Sequence, residues 1–251
     1  MPAADHPVFK KPANLHAPIW RYMDFTKFIS MLESSSLFFA RADRLGDPFE
    51  GSYSRGNELL RPIVYKDLYK TIPPEILAKM NLNQAQHFKW QRQWAFINCW
   101  HMNANESAAM WKLYAKSNEA IAIKSSFLRL TNELDDQTYI GMVEYIDFER
   151  DWLPEGNALY PFVHKRLSFS HEAEVRALFV QWPIKDGKFD SEAIPPVNGL
   201  EKKIDPSRLI EAVYVAPTSP SWFMSLVEQI CKRYMLAKPV VQSSLDAQPF
   251  F

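Results

Sequence analysis

Cysteine is nearly absent from this chain. The two that occur, Cys99 and Cys231, stand far apart. That excludes a disulfide scaffold and a cysteine-rich zinc site, and it suits a reducing cytoplasm. Glycine is scarce as well, with seven in 251 residues. Neither GxGxxG nor GxxxxGK(S/T) occurs, which argues against a Rossmann or P-loop enzyme. There is no GxSxG elbow and no HExxH helix, so no metal site follows from local spacing. Charge of either sign is not in excess, because 29 basic side chains face 29 acidic ones. A protein that grips duplex nucleic acid by its phosphates usually carries a basic surplus, so there is no strong nucleic-acid signal. No apolar run approaches the ~20 residues that span a bilayer, and the N-terminus lacks a signal-peptide core. The expectation is a soluble, cytoplasmic protein with no membrane partner.

What is present is aromatic and well patterned. Phe, Trp and Tyr reach 14%, enough to line a ligand cleft as well as a core. The first 17 residues, with Pro2, Pro7 and Pro12, read as a flexible N-terminal arm. From 18 onward one domain is expected. PIWRYM and SLFFARA read as strands around an amphipathic helix in which Phe25, Phe28, Ile29 and Leu32 share a face, with Asp24 as its N-cap. Residues from about 57 to 95 read as a helical insertion that Pro73 and Pro74 interrupt. FINCWHM, AIAIKSS, TYIGMVEYIDF and a segment near RLIEAVYVAP read as further strands. SWFMSLVEQICKRYML reads as a helix capped by Ser219 or Ser221, and KPVVQSS as a last strand. Strands and helices mix without regular alternation. The expected class is therefore α+β, with a mixed or antiparallel central sheet and flanking helices.

Three stretches could carry chemistry. In RLGDPFEG, Asp47 and Glu50 lie close enough to aim at one site, although Asp-Pro is also an ordinary turn opener. In CWHMNANESAAMWKLYA, His101 sits at a strand end beside Trp100 and upstream of Trp111 and Tyr114. These residues fit a pocket for a planar ligand, or equally the packing of a helix onto a sheet. In HKRLSFSHEAEVRALF, Glu172, Glu174 and Arg176 alternate as on one face of a strand, with Lys165 and Arg166 upstream. A strand interior seldom carries such a row unless it is wet or paired, so it is either a structural ion network or a functional site.

The ordered set WRYM, SLFFARADRLGDPFEG, FINCWHMNANESAAMWKLYA, AIAIKSS and HKRLSFSHEAEVRALF resembles the bacterial family catalogued as domain of unknown function 2971, from about Trp20 to Phe179. That family's pattern has an aromatic–basic first strand, an N/D-D-P-F-E turn, a Trp-x-x-Tyr helix, and a Lys upstream of E-x-E-x-R. This chain matches with Asp47-Pro48-Phe49-Glu50, Trp111 and Tyr114, and Lys165, Glu172, Glu174 and Arg176. Gly46 stands where the family has Asn or Asp. The resemblance brings no activity with it.

A second resemblance does suggest one. Arg21, then Ser125 and Ser126, then Glu172-Ala173-Glu174 is similar to the site order of ADP-ribosyltransferases of the Arg–Ser–Glu type. The resemblance implies NAD as substrate, with Arg21 on its pyrophosphate and Tyr22, Trp100, Trp111 and Tyr114 around nicotinamide. Ser125, Asp47, Glu50 and Arg176 would complete the binding surface. Glu174 would stabilise an oxocarbenium-like ribose and Glu172 would orient or deprotonate a macromolecular acceptor, with His101 and Lys165 as further candidate catalytic residues that would assist in the metal-dependent reading given next. A role in phage defence or a toxin system is the setting it implies. Two other readings stand beside it. One is a metal-dependent nuclease or hydrolase built on Asp47, Glu50, Glu172 and Glu174. The other is a non-enzymatic sensor or interaction module that takes a small-molecule or nucleotide ligand.

Overall fold

The computed structural model describes residues 2–115, 117–190 and 192–249. In chain order its elements are β1 (Pro18–Asp24), α1 (Phe25–Ser34), β2 (Ser36–Arg41), α2 (Arg55–Val64), α3 (Lys66–Thr71), α4 (Pro74–Gln91), β3 (Ala95–Met102) and α5 (Ala108–Tyr114). There follow β4 (Ala120–Ser126), α6 (Phe127–Glu133), β5 (Tyr139–Met142), β6 (Glu144–Ile146), β7 (His164–Arg166) and β8 (Glu174–Val180). The rest comprises β9 (Ile184–Lys185), β10 (Lys188–Phe189), β11 (Gly199–Lys203), α7 (Pro206–Leu209), β12 (Ala212–Val215), α8 (Ser221–Arg233) and β13 (Val240–Gln242).

Nine strands form one sheet in the order β11-β2-β3-β1-β4-β12-β13, with β8 also on β3 and β5 on β8. Its pairs are antiparallel except β12 with β13. The class is α+β with a mainly antiparallel central sheet. Helix α1 forms where the period changes from two to 3.6, burying Phe28, Met31 and Leu32 against the sheet. It stops at Ser35, which turns into the left-handed region at φ 44° and returns its N–H to Leu32. Pro73 and Pro74 separate α3 from α4, as their missing donors require.

The sheet has a defect that positions everything else. One edge of β3 is occupied by β8 along Ala95–His101. The other edge is shared end to end. β1 meets it at Ile19–Met102 and Trp20–His101, whereas β2 meets it at Ala40–Ile97 and Arg41–Phe96. Between them Asn98, Cys99 and Trp100 have no strand partner on that side, because β1 peels away to follow β4 over its whole length. The sheet is open at that point. Asn98 spans the gap by donating from Nδ2 to the Phe38 carbonyl at 2.8 Å and holds Trp100 Nε1 at 2.7 Å.

Several local expectations are corrected. Asp24 makes no side-chain cap bond to α1, and the N-cap of α8 is Pro220 rather than a serine. TYIGMVEYIDF does not form one strand, for β5 pairs with β8 in the large sheet and β6 pairs with β7 in a small one. The N-terminal segment does not hang free. Val8 and Phe9 are buried with Ala95, Ile97, Phe162 and Leu178, Phe9 stacks on Tyr139, and Met142 N–H donates to the Lys10 carbonyl. Gly141 explains the close crossing, because a Cβ there would lie 2.8 Å from the Phe9 backbone.

Candidate active site

The gap in the sheet continues into a cleft of about 880 Å³. Its walls come from β1 (Arg21, Tyr22), α1 (Lys27, Met31), β2 (Leu37, Phe38), β3 (Cys99, Trp100, His101), and the mouth residues Tyr114, Phe169 and Glu172. Asp47, Glu50, Lys165 and Glu174 line it too. Residues that sequence reasoning singled out from four separate stretches thus converge: Arg21, Tyr22, Asp47, Glu50, Trp100, His101, Tyr114, Lys165, Glu172 and Glu174.

Three others do not. Ser125 is on β4, buried, and donates to the Leu209 carbonyl at 2.6 Å, so it braces α7 rather than facing the cleft. Trp111 packs edge-on against Tyr22 and donates to Glu106 at 2.8 Å, which makes it core. Arg176 is 0% exposed and lies beneath the cleft, outside its lining.

The charge row in HKRLSFSHEAEVRALF is not a strand row. Strand β8 starts at Glu174, whereas Glu172 ends a 3-10 turn over Leu167–Glu172. Ala173 between them adopts the left-handed conformation at φ 38°, which breaks the alternation that would put both glutamates on one face. A cation reunites them. Lys165 Nζ donates to Glu172 at 2.6 Å and Glu174 at 3.2 Å, and lies 3.3 Å from Glu50. Arg176 donates from Nε to Glu174 at 2.7 Å, from Nη2 to Glu50 at 2.8 Å, and from Nη1 to the Phe162 carbonyl at 2.8 Å. Three carboxylates therefore share two cations, and the network keeps one net negative charge at the cleft wall.

This arrangement fixes ionisation states. Burial opposes the charge on Glu174, but Arg176 and Lys165 outweigh it and hold the carboxyl down to about 2. Burial likewise opposes the charge on Lys165, and Glu174 with Glu50 reverses that effect and raises its pKa. Glu174 is an anion at every physiological pH. Its backbone N–H also donates to Tyr145 Oη at 2.8 Å, which fixes the start of the strand. Beside it Cys99 is kept as a neutral thiol, pushed up first by burial and then by the Glu174 charge.

Asp47 is held differently. Arg166 clasps it through Nη2 at 2.7 Å and Nε at 3.1 Å, and the guanidinium is itself packed between Phe49 (4.4 Å) and Phe169 (5.2 Å). The turn is closed by Gly51 at φ 68°, where a Cβ would approach Phe162 to 2.5 Å. With Glu50, Glu172 and Glu174 gathered around an ammonium and Asp47 around a guanidinium, these acids do not form a cation cage. Among the described residues no group of three His, Cys, Asp or Glu could hold a metal ion. The four acids are instead engaged by cations of the chain itself, Lys165, Arg166 and Arg176.

Three cleft residues keep buried atoms without a hydrogen-bond partner, Arg21, His101 and Glu50, the last having only an ion contact from its Oε2 to Arg176 at 2.8 Å. Arg21 Nη1 is buried without a hydrogen-bond partner. The side chain is half-buried at the cleft wall, and loss of water lowers its pKa to about 10, with Cys99 acting the other way. The nearest aromatic face is Trp100, 6.0 Å away. His101 Nδ1 lies 2.6 Å from the Glu172 carbonyl, which assigns a proton to Nδ1 as the donor of that bond. Its Nε2 is buried with no partner. Tyr22 accepts the Ser107 N–H at 2.7 Å, and burial pushes its pKa up to about 12, so its ring is a neutral wall.

Sequence reasoning did not select Phe169, Ser36 or Glu201, which also line the cleft. The position of Phe169 next to Lys165 and Glu172 was a usable signal. Ser36 and Glu201 are 165 residues apart and had none.

No helix among the described residues is long and apolar enough to cross a membrane. No family model and no curated protein matches the chain. A solved structure, Thermus sp. 2.9 DarT in complex with carba-NAD+, is similar over 92% of this chain and 96% of that one, at 13% identity and a TM-score of 0.37. Likeness at that level assigns no activity.

Proposed function

We propose that the chain is an NAD-cleaving ADP-ribosyltransferase. The observation that carries this reading is the half-buried guanidinium of Arg21, whose buried Nη1 has no hydrogen-bond partner, in a cleft that also holds the Glu174 anion. A buried N–H of a guanidinium left without a partner costs stability, and an anionic ligand in the cleft would supply that partner. A pyrophosphate meets that need, with two or more charge-assisted bonds to one planar donor. Trp100, Tyr22 and Tyr114 offer flat walls for an aromatic ring.

The chemistry follows from the fixed charges. Scission of the nicotinamide–ribose bond sends the electron pair to the departing nicotinamide nitrogen and leaves positive charge on the ribose. Glu174, already ionised and immobilised by Arg176 and Lys165, stabilises that charge without reorganising. An acceptor hydroxyl or amine then attacks the ribose and gives its proton to a base. His101 Nε2, which has no hydrogen-bond partner, and Glu172, paired only with Lys165, are the candidate bases. Asp47 and Glu50 act one step back, Asp47 by holding the turn to Arg166 and Glu50 by seating Arg176 and Lys165.

The test is release of nicotinamide from NAD by the purified chain, followed by chromatography. Glu174→Gln is expected to lower the rate at least about a hundredfold, the scale of losing one preorganised stabilising group. Its melting temperature must be read alongside, since the variant also disturbs the ion network. NAD that binds but is never cleaved, in wild type as in the variant, would return the chain to the non-enzymatic binding module.

A further inference from the structure

The helical insertion presents a row of apolar side chains to solvent. Its base is fixed. The buried Asn57 on α2 donates from Nδ2 to the Leu153 carbonyl at 2.7 Å and accepts the Leu153 N–H at 2.9 Å, and Arg61 pairs with Glu155 at 2.8 Å. Helix α4 runs back beside α2 and α3, since Tyr53, just before α2, packs on Phe88 near the end of α4 at 4.5 Å. The outer side is bare. Leu59, Ile63 and Val64 on α2 are 58%, 70% and 53% exposed, and Leu68 on α3 continues the row one turn beyond Val64. Ile76 and Met80, also exposed, stand one turn apart on α4. A surface helix ordinarily turns such residues inward. The charges beside the row have both signs. Arg55 and Arg61 are taken by Glu149 and Glu155, whereas Glu58 at the start of the row and Lys66, Asp67 and Lys70 at its end are exposed and in no ion pair among the described residues.

We infer that this face joins two copies of the chain as an isologous dimer, with α2 of one copy running antiparallel to α2 of the other about Ile63. The six aliphatic side chains, each bare over about half of its surface or more, offer on the order of 600 Å² per copy, so two copies bury about 1,200 Å², above the roughly 1,000 Å² that a specific interface clears. A two-fold axis sets residues equally far from its centre against one another. Centred on Ile63, it places Glu58 opposite Leu68, between Lys66 and Lys70 of the second copy. The free acid at one end of the row thus meets the free ammonium groups at the other, and the symmetry repeats the match. A partner of a single sign would instead set like charges against Glu58 and Asp67 or against the lysines. The zero net charge of the chain removes long-range repulsion between copies. The contact does not depend on what the cleft binds.

The experiment is sedimentation velocity of the purified full chain across the micromolar range, with exposed-residue variants whose fold is checked by circular dichroism. Expected is a concentration-dependent dimer in wild type. Ile63→Glu, which sets two carboxylates against each other at the axis, is expected to weaken it at least about tenfold. Glu58→Lys is expected to weaken it too, and the triple variant Glu58→Lys, Lys66→Glu, Lys70→Glu to restore it, because the exchange inverts the signs and keeps the match. A wild-type chain that stays monomeric at every concentration overturns the inference and leaves the face to a different protein or a lipid surface. A dimer that Ile63→Glu leaves as strong as wild type overturns it as well, because the copies then meet elsewhere.

Discussion

At the scale of single residues, the cleft separates side chains that stabilise the fold from one that strains it. Glu174 belongs to the first kind. Its carboxyl has an ordinary pKa of 4.5 and is held at about 2 in the folded chain, so it contributes stability above the unfolded value. As pH falls from 4.5 toward 2 the folded state takes up fewer protons than the unfolded one, and that contribution is lost. Acid unfolding followed by tryptophan fluorescence is expected to set in within that window, and Glu174→Gln is expected to flatten it. Arg21 belongs to the second kind, a guanidinium whose buried Nη1 has no hydrogen-bond partner. Sequence reasoning selected both residues, but it could not distinguish them. The sequence shows that charges are present; whether a guanidinium meets a carboxylate or an empty cleft depends on how β1 leaves β3.

At the scale of elements, the decisive event is the split in the sheet. Every strand beside it was legible as a strand, because PIWRYM, SLFFARA and FINCWHM alternate and carry β-branched or aromatic residues. Their register was not. Two short pairings of β1 and β2 on one edge of β3 are a tertiary outcome, set by the length of α1 and by Asn98 reaching the Phe38 carbonyl. The same limit applies to HKRLSFSHEAEVRALF. The spacing of Glu172 and Glu174 read as a strand row, but Ala173 at φ 38° placed Glu172 on a turn, and no local pattern marks alanine for that conformation. The turn after β2 gives a test at this scale. Gly51 at φ 68° packs its open side against Phe162, and Glu50 beside it seats Arg176. Gly51→Ala is expected to destabilise the chain by more than about 1 kcal/mol in urea unfolding. It should also lower turnover, because the ion network holding Glu174 would lose its Glu50 anchor.

At the scale of the whole molecule, the chain closes itself with its N-terminal segment. Prolines suggested a free arm, but Val8 and Phe9 cover the face of β3 and β8 that the helices leave bare. Their hydrophobicity was visible in the sequence, and a cover for the sheet was not, since the need for one appears only once β5 stands beside β8. Phe9→Ala is expected to cost about 3 kcal/mol in denaturant unfolding. The covered face lies on the side of the sheet that carries Cys99 and His101.

The same scale holds the central claim, that the fold keeps Arg21 for a dianionic ligand at a cost in stability. The direct test is one variant read two ways, Arg21→Met by thermal unfolding without ligand and by calorimetric titration with NAD. A melting temperature raised by roughly 2–4 °C is expected, as for relief of about 1 kcal/mol in a chain of this size, together with loss of NAD binding. A melting temperature that falls while NAD affinity is unchanged would contradict it.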